Sequence, residues 1–304
     1  MMKHNKMIKK GKIRPITVIG YNLLTVLSVL SVVPFLLMIM SSLSSEQSIT
    51  ANGYSLFPSE FSLEAYRYLW NNASVIGRAY VVTVGMSVTG TLLGVLMTLL
   101  LAYALSRPSL PGRKLLNFYV IFTMLFNGGL VSTYLIYTEL FHIKNTLFAL
   151  LVPSLLMNAF NVMLARNFFE FNVPASLIEA AKIDGASEFQ VFWKIVFPVS
   201  KPIIATIAMF VFMAYWNDWN NGLYYLTDTR LYNIQNVLND MLKNIQFLKN
   251  SSDIASELMS AMGNIPSASV RMAIASAVAV PVLIIFPFFE SFFVKGIVMG
   301  GIKE

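Results

Sequence analysis

Six long apolar segments constrain the fold of this chain more than any other feature. They are residues 16–40, 79–105, 116–137, 146–165, 200–216 and 272–294. A bilayer core of about 30 Å requires about 20 mostly apolar residues in one helix, and each segment is close to that length. We therefore predict an all-α membrane protein with six transmembrane helices.

The composition supports a membrane protein and argues against several kinds of site. Of the 304 residues, 56% are hydrophobic and 12% are charged, whereas soluble domains carry about a quarter charged residues. The chain has no cysteine and only two histidines, His4 and His142, so we expect neither disulfides nor a metal site. No catalytic set of side chains stands out. The net charge of +7 is spread along the chain, which favours lipid topology over nucleic-acid binding.

Lysine and arginine predict the orientation of the six segments, because short loops rich in these residues stay in the cytoplasm. Fifteen of the 22 basic residues fall on one side of the membrane. They are Lys3, Lys6, Lys9, Lys10, Lys12, Arg14, Arg107, Arg113, Lys114, Arg166, Lys182, Lys194, Lys201, Lys295 and Lys303. We therefore expect a cytoplasmic tail at 1–15, a transmembrane domain at 16–294 with a cytoplasmic loop at 166–199, and a cytoplasmic tail at 295–304.

Two longer segments, 41–78 and 217–271, fall on the opposite side. Residues 55–70 are typical of an amphipathic or interfacial helix with Ser62 as its N-cap. Residues 233–249 have apolar side chains at helical spacing and predict a surface helix. Both helices are compatible with an interfacial cover that has no specific partner, or with a surface that contacts a protein outside the membrane.

The loop at 166–199 contains signals for a first short helix. Asn172 and Pro174 form a helix-start signal, and good helix formers follow through residue 184. Ala180 and Ala181 leave a smooth surface that another protein can approach closely. Gly185 then ends the helix, because glycine readily adopts the left-handed conformation common just past a helix terminus.

A second helix follows in the same loop. Ser187 and Gln190 have the spacing of a capping box, which begins a helix. We expect Pro198 to close this helix before the fifth apolar segment. Its predicted aromatic face comprises Phe189, Phe192, Trp193 and Val196. These features alone are compatible with a docking element for a soluble partner and with an interfacial hairpin that only anchors the loop.

Residues 179–198, EAAKIDGASEFQVFWKIVFP, resemble the EAA motif of ATP-binding-cassette importer permeases. In that motif a glycine follows EAA after three residues, and nine further residues precede an Ile-x-Leu-Pro close. Here Gly185 is the glycine and Ile195–Pro198 is the close, with Phe197 in place of leucine. The exchange of one large apolar residue for another leaves the match specific.

The resemblance covers most of the chain. Residues 126–135, 160–169 and 295–303 (FNGGLVSTYL, FNVMLARNFF and KGIVMGGIK) are similar to the smaller, six-span subunit of carbohydrate importers of Gram-positive bacteria. The resemblance implies the type I importer (MetI-like) permease fold in the plasma membrane. It also implies a second permease subunit, normally non-identical, two ATP-binding subunits and an extracytoplasmic solute-binding protein.

The resemblance also implies roles for particular residues. The EAA loop forms a coupling helix that contacts the ATPase, and the C-terminal stretch is implied as a second contact. The first set is Glu179, Ala180, Ala181, Asp184 and Gly185, with Ile195 and Pro198 in the close; the second is Gly296, Gly300, Gly301 and Lys303. Because exposed ion pairs contribute only about 0–1 kcal/mol, we expect shape at the alanine face to matter more than the charge of Glu179.

The chain has no phosphate-binding loop of the form G-x-x-x-x-G-K-[ST]. ATP and Mg²⁺ are therefore expected on partner subunits, with no cofactor and no enzymatic activity in this chain. A transporter driven by an ion gradient is expected to carry acidic residues inside its spans, and those are scarce here. A purely structural scaffold leaves the spacing of the loop unexplained.

The solute path is predicted less clearly. Residues 214–221 (AYWNDWNN) combine aromatic rings with amides and a carboxylate, the groups that stack on sugar rings and bond hydroxyls. The alternative is an aromatic belt at the outer interface. The scarcity of charges in the spans favours a neutral polar solute, and other polar residues, such as Asn127, Thr133, Asn158 and Asn161, are equally compatible with helix–helix contacts. The candidate path residues are Tyr215, Trp216, Asn217, Asp218, Trp219 and Asn220.

Overall fold

A computed structural model describes residues 15–250 and 268–300 of the chain. Within these ranges the backbone is helical or connecting, apart from one isolated bridge between Ser44 and Phe61. The basic tail before residue 15, together with Gly301 and Lys303, lies outside the described residues. The prediction of an all-α chain is confirmed for the part that the structure describes.

Fifteen α-helical segments follow one another in the described ranges, with short π and 3₁₀ turns between some of them. They are α1 (Pro15–Ser42), α2 (Glu46–Asn52), α3 (Glu64–Asn71), α4 (Ala73–Ser106), α5 (Arg113–Leu125), α6 (Gly129–Leu135), α7 (Phe148–Leu151), α8 (Ala159–Asn172), α9 (Ala175–Ile183), α10 (Glu188–Val191), α11 (Phe197–Val199), α12 (Lys201–Trp216), α13 (Asn220–Tyr225), α14 (Ile234–Asn250) and α15 (Ala268–Gly300). A π turn, Ile136–Leu140, continues α6, and another, Phe192–Val196, joins α10 to α11.

Three of these helices are long and apolar enough to cross a membrane as single pieces. They are α1, α4 and α15, and they contain the predicted segments 16–40, 79–105 and 272–294. Helix α15 continues six residues past the predicted boundary at 294, to Gly300.

Two further segments are bent. The third is broken between α5 and α6, where the two pieces meet at 115° and Gly129 has a φ of +81°. The second bend, of 85°, separates Glu188–Val199 from the fifth segment in α12. If each bent pair is one span, the described residues contain five candidate spans.

The prediction that residues 146–165 form one membrane-crossing helix is wrong. Helix α7 ends after four residues, and α8 begins only at Ala159 and continues to Asn172. Between them lies Pro153, which has no backbone N–H to donate, and Ser154 has a left-handed φ of +62°. Asn158 then caps α8 through its side chain. Six continuous spans are therefore not found in the described residues.

The described residues of Met1–Leu69 and Met262–Ser276 form one compact unit. The Glu46 carboxylate accepts hydrogen bonds from the backbone N–H groups of Ala268 and Ser269 and from the Ser269 hydroxyl, at 2.9–3.0 Å. This carboxylate satisfies donors at the start of α15 that have no partner inside the helix. The helix predicted at 55–70 is shorter than expected and begins at Glu64, whose N–H lies 3.2 Å from the Ser62 hydroxyl.

The described residues of Trp70–Ala261 and Ala277–Glu304 form the other compact unit, in which α4 packs against α8 and α12. A glycine makes this close packing possible, since a Cβ built on Gly90 would lie 2.3 Å from the Tyr215 ring. Helix α14 confirms the helix predicted at 233–249, but its first turn is buried at Ile234 and Val237. The Ile234 N–H donates to the Thr83 hydroxyl of α4 at 2.9 Å.

Candidate functional site

The EAA segment folds as a helical hairpin, which we call the EAA hairpin and define as residues 175–199. Its first arm, α9, ends in a Schellman turn. Gly185 N donates to the Lys182 carbonyl at 3.0 Å and Ala186 N to the Ala181 carbonyl at 2.9 Å. Gly185 has a φ of +81°, which glycine adopts without a steric cost. The predicted helix end at Gly185 is confirmed.

The second arm begins at the predicted capping box. The Ser187 hydroxyl accepts from Gln190 N at 3.3 Å, and the Gln190 side-chain oxygen accepts from Ser187 N at 2.9 Å. The arm then passes through the π turn and ends at Val199, one residue beyond Pro198. Both reciprocal bonds of the capping box are therefore present, and the local sequence alone positions the turn between the arms.

One side of the EAA hairpin is buried in the main apolar cluster. That side consists of Ile178, Val191, Phe192 and Val196, with Ala181 packed at its edge. The predicted aromatic face is thus divided, because Phe192 is buried while Phe189 is exposed and Trp193 is about one-third exposed. The buried side fixes the hairpin to the membrane helices, and the remaining side faces outward.

The outward side carries several of the predicted coupling residues. Glu179, Ala180, Asp184 and Gly185 are exposed, Ile195 is half-buried, and Pro198 is exposed on the second arm. Sequence reasoning missed Ile183, an apolar side chain that is 86% exposed. Its position three residues after Ala180 places both on one helix face, and that spacing is the signal from which it could have been found.

Gly296 and Gly300 of the predicted C-terminal contact lie in the last turns of α15. No further geometry relates them to the EAA hairpin in the described part of the chain.

Two cavities lie where the membrane helices are interrupted. The first, of about 380 Å³, is lined by the three breaks that follow α5, α7 and α12. The second, of about 410 Å³, shares Ser154 and Leu155 with the first. Non-helical backbone at membrane depth is tolerated where it is buried in protein or lines a water-filled cavity. The convergence of three breaks therefore makes these cavities the candidate solute path.

The predicted path residues 215–220 separate into two groups. Tyr215 and Trp216 are buried between helices, where the Tyr215 hydroxyl donates to the Leu151 carbonyl at 2.7 Å and the Trp216 indole to the Val278 carbonyl at 3.3 Å. Asp218 and Asn220 line the first cavity. Asn217 and Trp219 are exposed and line neither of the two cavities. The structure therefore brings only part of this group to the candidate path.

Asn158 and Asn161 line the second cavity with different roles. The Asn158 side-chain oxygen accepts from the N–H groups of Phe160 and Asn161 at 2.9 and 3.3 Å, which caps α8. Asn161 is 93% buried, since its exposed fraction is 7%, and its amide makes no hydrogen bond to another described residue. The amide atoms keep access to the cavity, where they can bond water or a solute. Asn161 is therefore the strongest candidate in this cavity for a solute contact.

Asp218 predicts a pH dependence of stability. Burial raises the pKa of its carboxyl from 3.8 to about 6, although the Asn221 N–H donates to it at 3.2 Å. A raised pKa in the folded state contributes stability that is present below about pH 4 and is lost as the pH rises through about 6. The Asp218→Asn variant should lose this dependence when the melting temperature of the detergent-solubilised protein is measured from pH 4 to 8. In the control Asp228→Asn, a half-buried position paired with Arg230, the dependence should remain; an unchanged slope in Asp218→Asn would contradict the assignment.

Among the residues that the structure describes, no three His, Cys, Asp or Glu side chains group to hold a metal ion.

Comparison with known proteins identifies the family. Residues 10–298 match the model of the binding-protein-dependent transport system inner membrane component. The chain belongs to this family of ABC importer permeases. The permease is 37% identical to the polygalacturonan/rhamnogalacturonan transport system permease protein YtcP of Bacillus subtilis, over 93% of this chain and 96% of that protein. It is also 35% identical to the protein LplC of the same organism, over 90% of each.

A solved structure agrees with this membership. The permease superposes with a TM-score of 0.79 and 27% identity on a chain of a bacterial ABC transporter involved in the import of the acidic polysaccharide alginate, covering 92% of this chain and 97% of that one. The predicted resemblance to carbohydrate importer permeases is thus confirmed. The permease is a multi-pass protein of the inner or cytoplasmic membrane and a transport subunit, not an enzyme.

Proposed function

We propose that this permease moves an oligosaccharide across the plasma membrane by alternating access, driven by ATP hydrolysis on separate subunits. The observation that carries the proposal is the EAA hairpin, whose buried side is fixed to the membrane helices while Ala180 and Ile183 face outward. The absence of a phosphate-binding loop from the sequence is the reason to assign ATP and Mg²⁺ to the partner.

The proposed assembly has a second permease subunit, non-identical to this one, two ATP-binding subunits and an extracytoplasmic solute-binding protein. Both termini and the loop 166–199 are cytoplasmic, and the basic residues of 1–15 and 295–304 support this orientation. The C-terminal stretch Gly296–Lys303 is a second ATPase contact, and 217–271 faces the binding protein. A Gram-positive bacterium is the proposed source.

The EAA hairpin docks mainly through shape. Exposed ion pairs contribute about 0–1 kcal/mol, so Glu179 and Asp184 add orientation more than affinity. Burial of an apolar side chain contributes about 1.5–3 kcal/mol, and Ile183 is almost fully available for it. ATP drives the cycle because nucleotide and loaded binding protein each favour one of two permease states.

The proposed solute path runs through the two cavities that share Ser154 and Leu155. Their walls offer hydroxyl and amide groups that suit a polyhydroxylated solute, and no lysine or arginine lines either one. The names of the relatives support a saccharide, because YtcP is named as the permease protein of a polygalacturonan/rhamnogalacturonan transport system. Aromatic Tyr224 and Phe160 add ring faces at the two cavities.

Asn161→Leu tests the path. The variant removes the amide from the cavity wall, so ATP-driven uptake should fall about tenfold or more, while ATP hydrolysis stimulated by the binding protein continues. The measurement is uptake of labelled oligosaccharides into proteoliposomes that contain the complete complex. Asn167→Leu, an exposed position on the same helix, is the matched control. Wild-type uptake by Asn161→Leu would remove this cavity from the path.

A further inference from the structure

One carboxylate joins the EAA hairpin to a membrane-spanning helix. Glu188 is the first residue of α10. Its Oε2 accepts the Tyr103 hydroxyl of α4 at 2.6 Å, and its Oε1 forms an ion pair with Lys182 in the last turn of α9. Both arms of the hairpin and the end of α4 therefore meet at a single side chain.

The two contacts of Glu188 differ in strength. The Lys182–Glu188 pair is 42% and 50% exposed, and exposed pairs of this kind contribute about 0–1 kcal/mol. Tyr103 is only 7% exposed, and a hydroxyl bond to a carboxylate is about twice as strong as a neutral one. Removal of the Glu188 side chain would leave the buried Tyr103 hydroxyl with only one acceptor, the backbone carbonyl of residue 188, at 3.5 Å. The link to α4 is therefore the stronger of the two.

Tyr103 is held firmly at its end of α4. The Arg107 guanidinium lies 4.6 Å from the centre of its ring, and the Phe192 ring of the hairpin lies 5.2 Å away. Tyr103 therefore contacts the hairpin through its ring as well as through its hydroxyl.

Helix α4 connects this point to the candidate solute path. Tyr103 lies thirteen positions after Gly90, which is about 20 Å along a helix. Gly90 lies directly against the Tyr215 ring of α12, and Val211 and Ala214 of the same helix line the second cavity. Helix α4 thus runs without a break from Tyr103, the partner of Glu188, to Gly90, which packs against α12, a helix that forms part of the cavity wall.

We propose that Glu188 is a positioning residue that fixes the EAA hairpin to α4, so that a movement imposed on the hairpin is passed to the cavity. This inference rests on the proposed docking of the hairpin to an ATPase. It adds that a movement of the hairpin reaches α4 through the bond between Glu188 and Tyr103. A correctly shaped hairpin without this bond is expected to dock to the ATPase but not to drive full transport.

The test is the ratio of solute taken up to ATP hydrolysed by the complete complex in proteoliposomes. Tyr103→Phe and Glu188→Ala should each lower this ratio about five- to tenfold with an unchanged yield of assembled complex. Because they remove one shared bond, the double variant should be no worse than either single variant. Glu188→Gln keeps an acceptor and should restore part of the ratio, and the exposed Tyr119→Phe is the control.

The outcomes separate this inference from the proposed function. If Tyr103→Phe and Glu188→Ala keep the wild-type ratio while a distorted hairpin turn lowers it, docking stands and the positioning role fails. If they lower assembly and uptake together at an unchanged ratio, the bond is structural only and the inference is likewise overturned. If no hairpin variant changes the ratio, the proposed function itself fails.

Discussion

Gly185→Val is expected to reduce ATP-driven uptake about tenfold or more while the complex still assembles. Gly185 has a φ of +81° with no other atom within 4 Å of a built Cβ, so the variant meets backbone strain and not a clash. A β-branched residue is a poor fit to the left-handed region, and the Schellman turn that presents Ala180 and Ile183 would rearrange. Uptake and ATP hydrolysis are measured on the same reconstituted complex.

Two matched variants separate the effect of the hairpin position on uptake from the effect of backbone strain. Gly112 has a similar φ of +72° and equally open surroundings, but it lies at the start of α5, outside the hairpin. Gly112→Val should therefore retain most of the uptake. Gly185→Asn should recover part of it, because asparagine tolerates the left-handed conformation. Equal loss of uptake in both valine variants would show that backbone strain in either cytoplasmic loop is enough to impair transport, and would contradict a special role for the hairpin.

Gly90→Val is expected to prevent accumulation of folded protein. Its Cβ would overlap the Tyr215 ring at 2.3 Å, and the ring is held by its hydroxyl bond to Leu151. Overpacking typically costs about 1–3 kcal/mol or more, and here it would separate α4 from α12. The yield and melting temperature of the purified protein measure the effect. Gly85→Val, on the same helix with open space around it, should behave as wild type; normal folding of Gly90→Val would disprove the close packing.

Local signals in the sequence predicted the EAA hairpin well. Gly185, Ser187 and Gln190 act through backbone bonds to residues within a few positions, so tertiary context has little influence on them. Helices α1, α4 and α15 were equally well predicted from the sequence. A long apolar run in a bilayer folds as a helix because a helix satisfies all of its backbone hydrogen bonds within the segment.

The interruptions of the membrane helices were not predictable from hydrophobicity. Pro153 alone did not predict the break, because membrane helices tolerate proline when neighbouring groups bond the backbone carbonyls that it leaves without a partner. Ser154 adopts a left-handed conformation, which a serine in the sequence does not predict. The break at 126–128 falls at Asn127, Gly128 and Gly129, whose N-G and G-G dipeptides are turn signals, but a count of apolar residues over 116–137 does not register them.

The composition of residues 215–220 suggested that these side chains form one sugar site, but the structure separates them. Tyr215 and Trp216 have the chemistry of a sugar site, but the helix ends between them and Asp218, and the first two point into helix contacts. Asn161 was compatible from sequence with a solute contact and with a helix–helix bond. Only the three-dimensional arrangement shows its amide in a cavity without a protein partner.

Site-directed cross-linking tests the central claim most directly, because the chain has no natural cysteine and one introduced thiol is unique. Ile183→Cys in the assembled complex is predicted to cross-link to the ATP-binding subunit and to be protected from an impermeant thiol reagent applied outside the cell. Leu147→Cys, an exposed apolar position at the outer end of the predicted fourth span 146–165, is predicted not to cross-link and to be labelled from outside. Cross-linking of the ATPase to position 147, or labelling of position 183 from outside, would contradict the account.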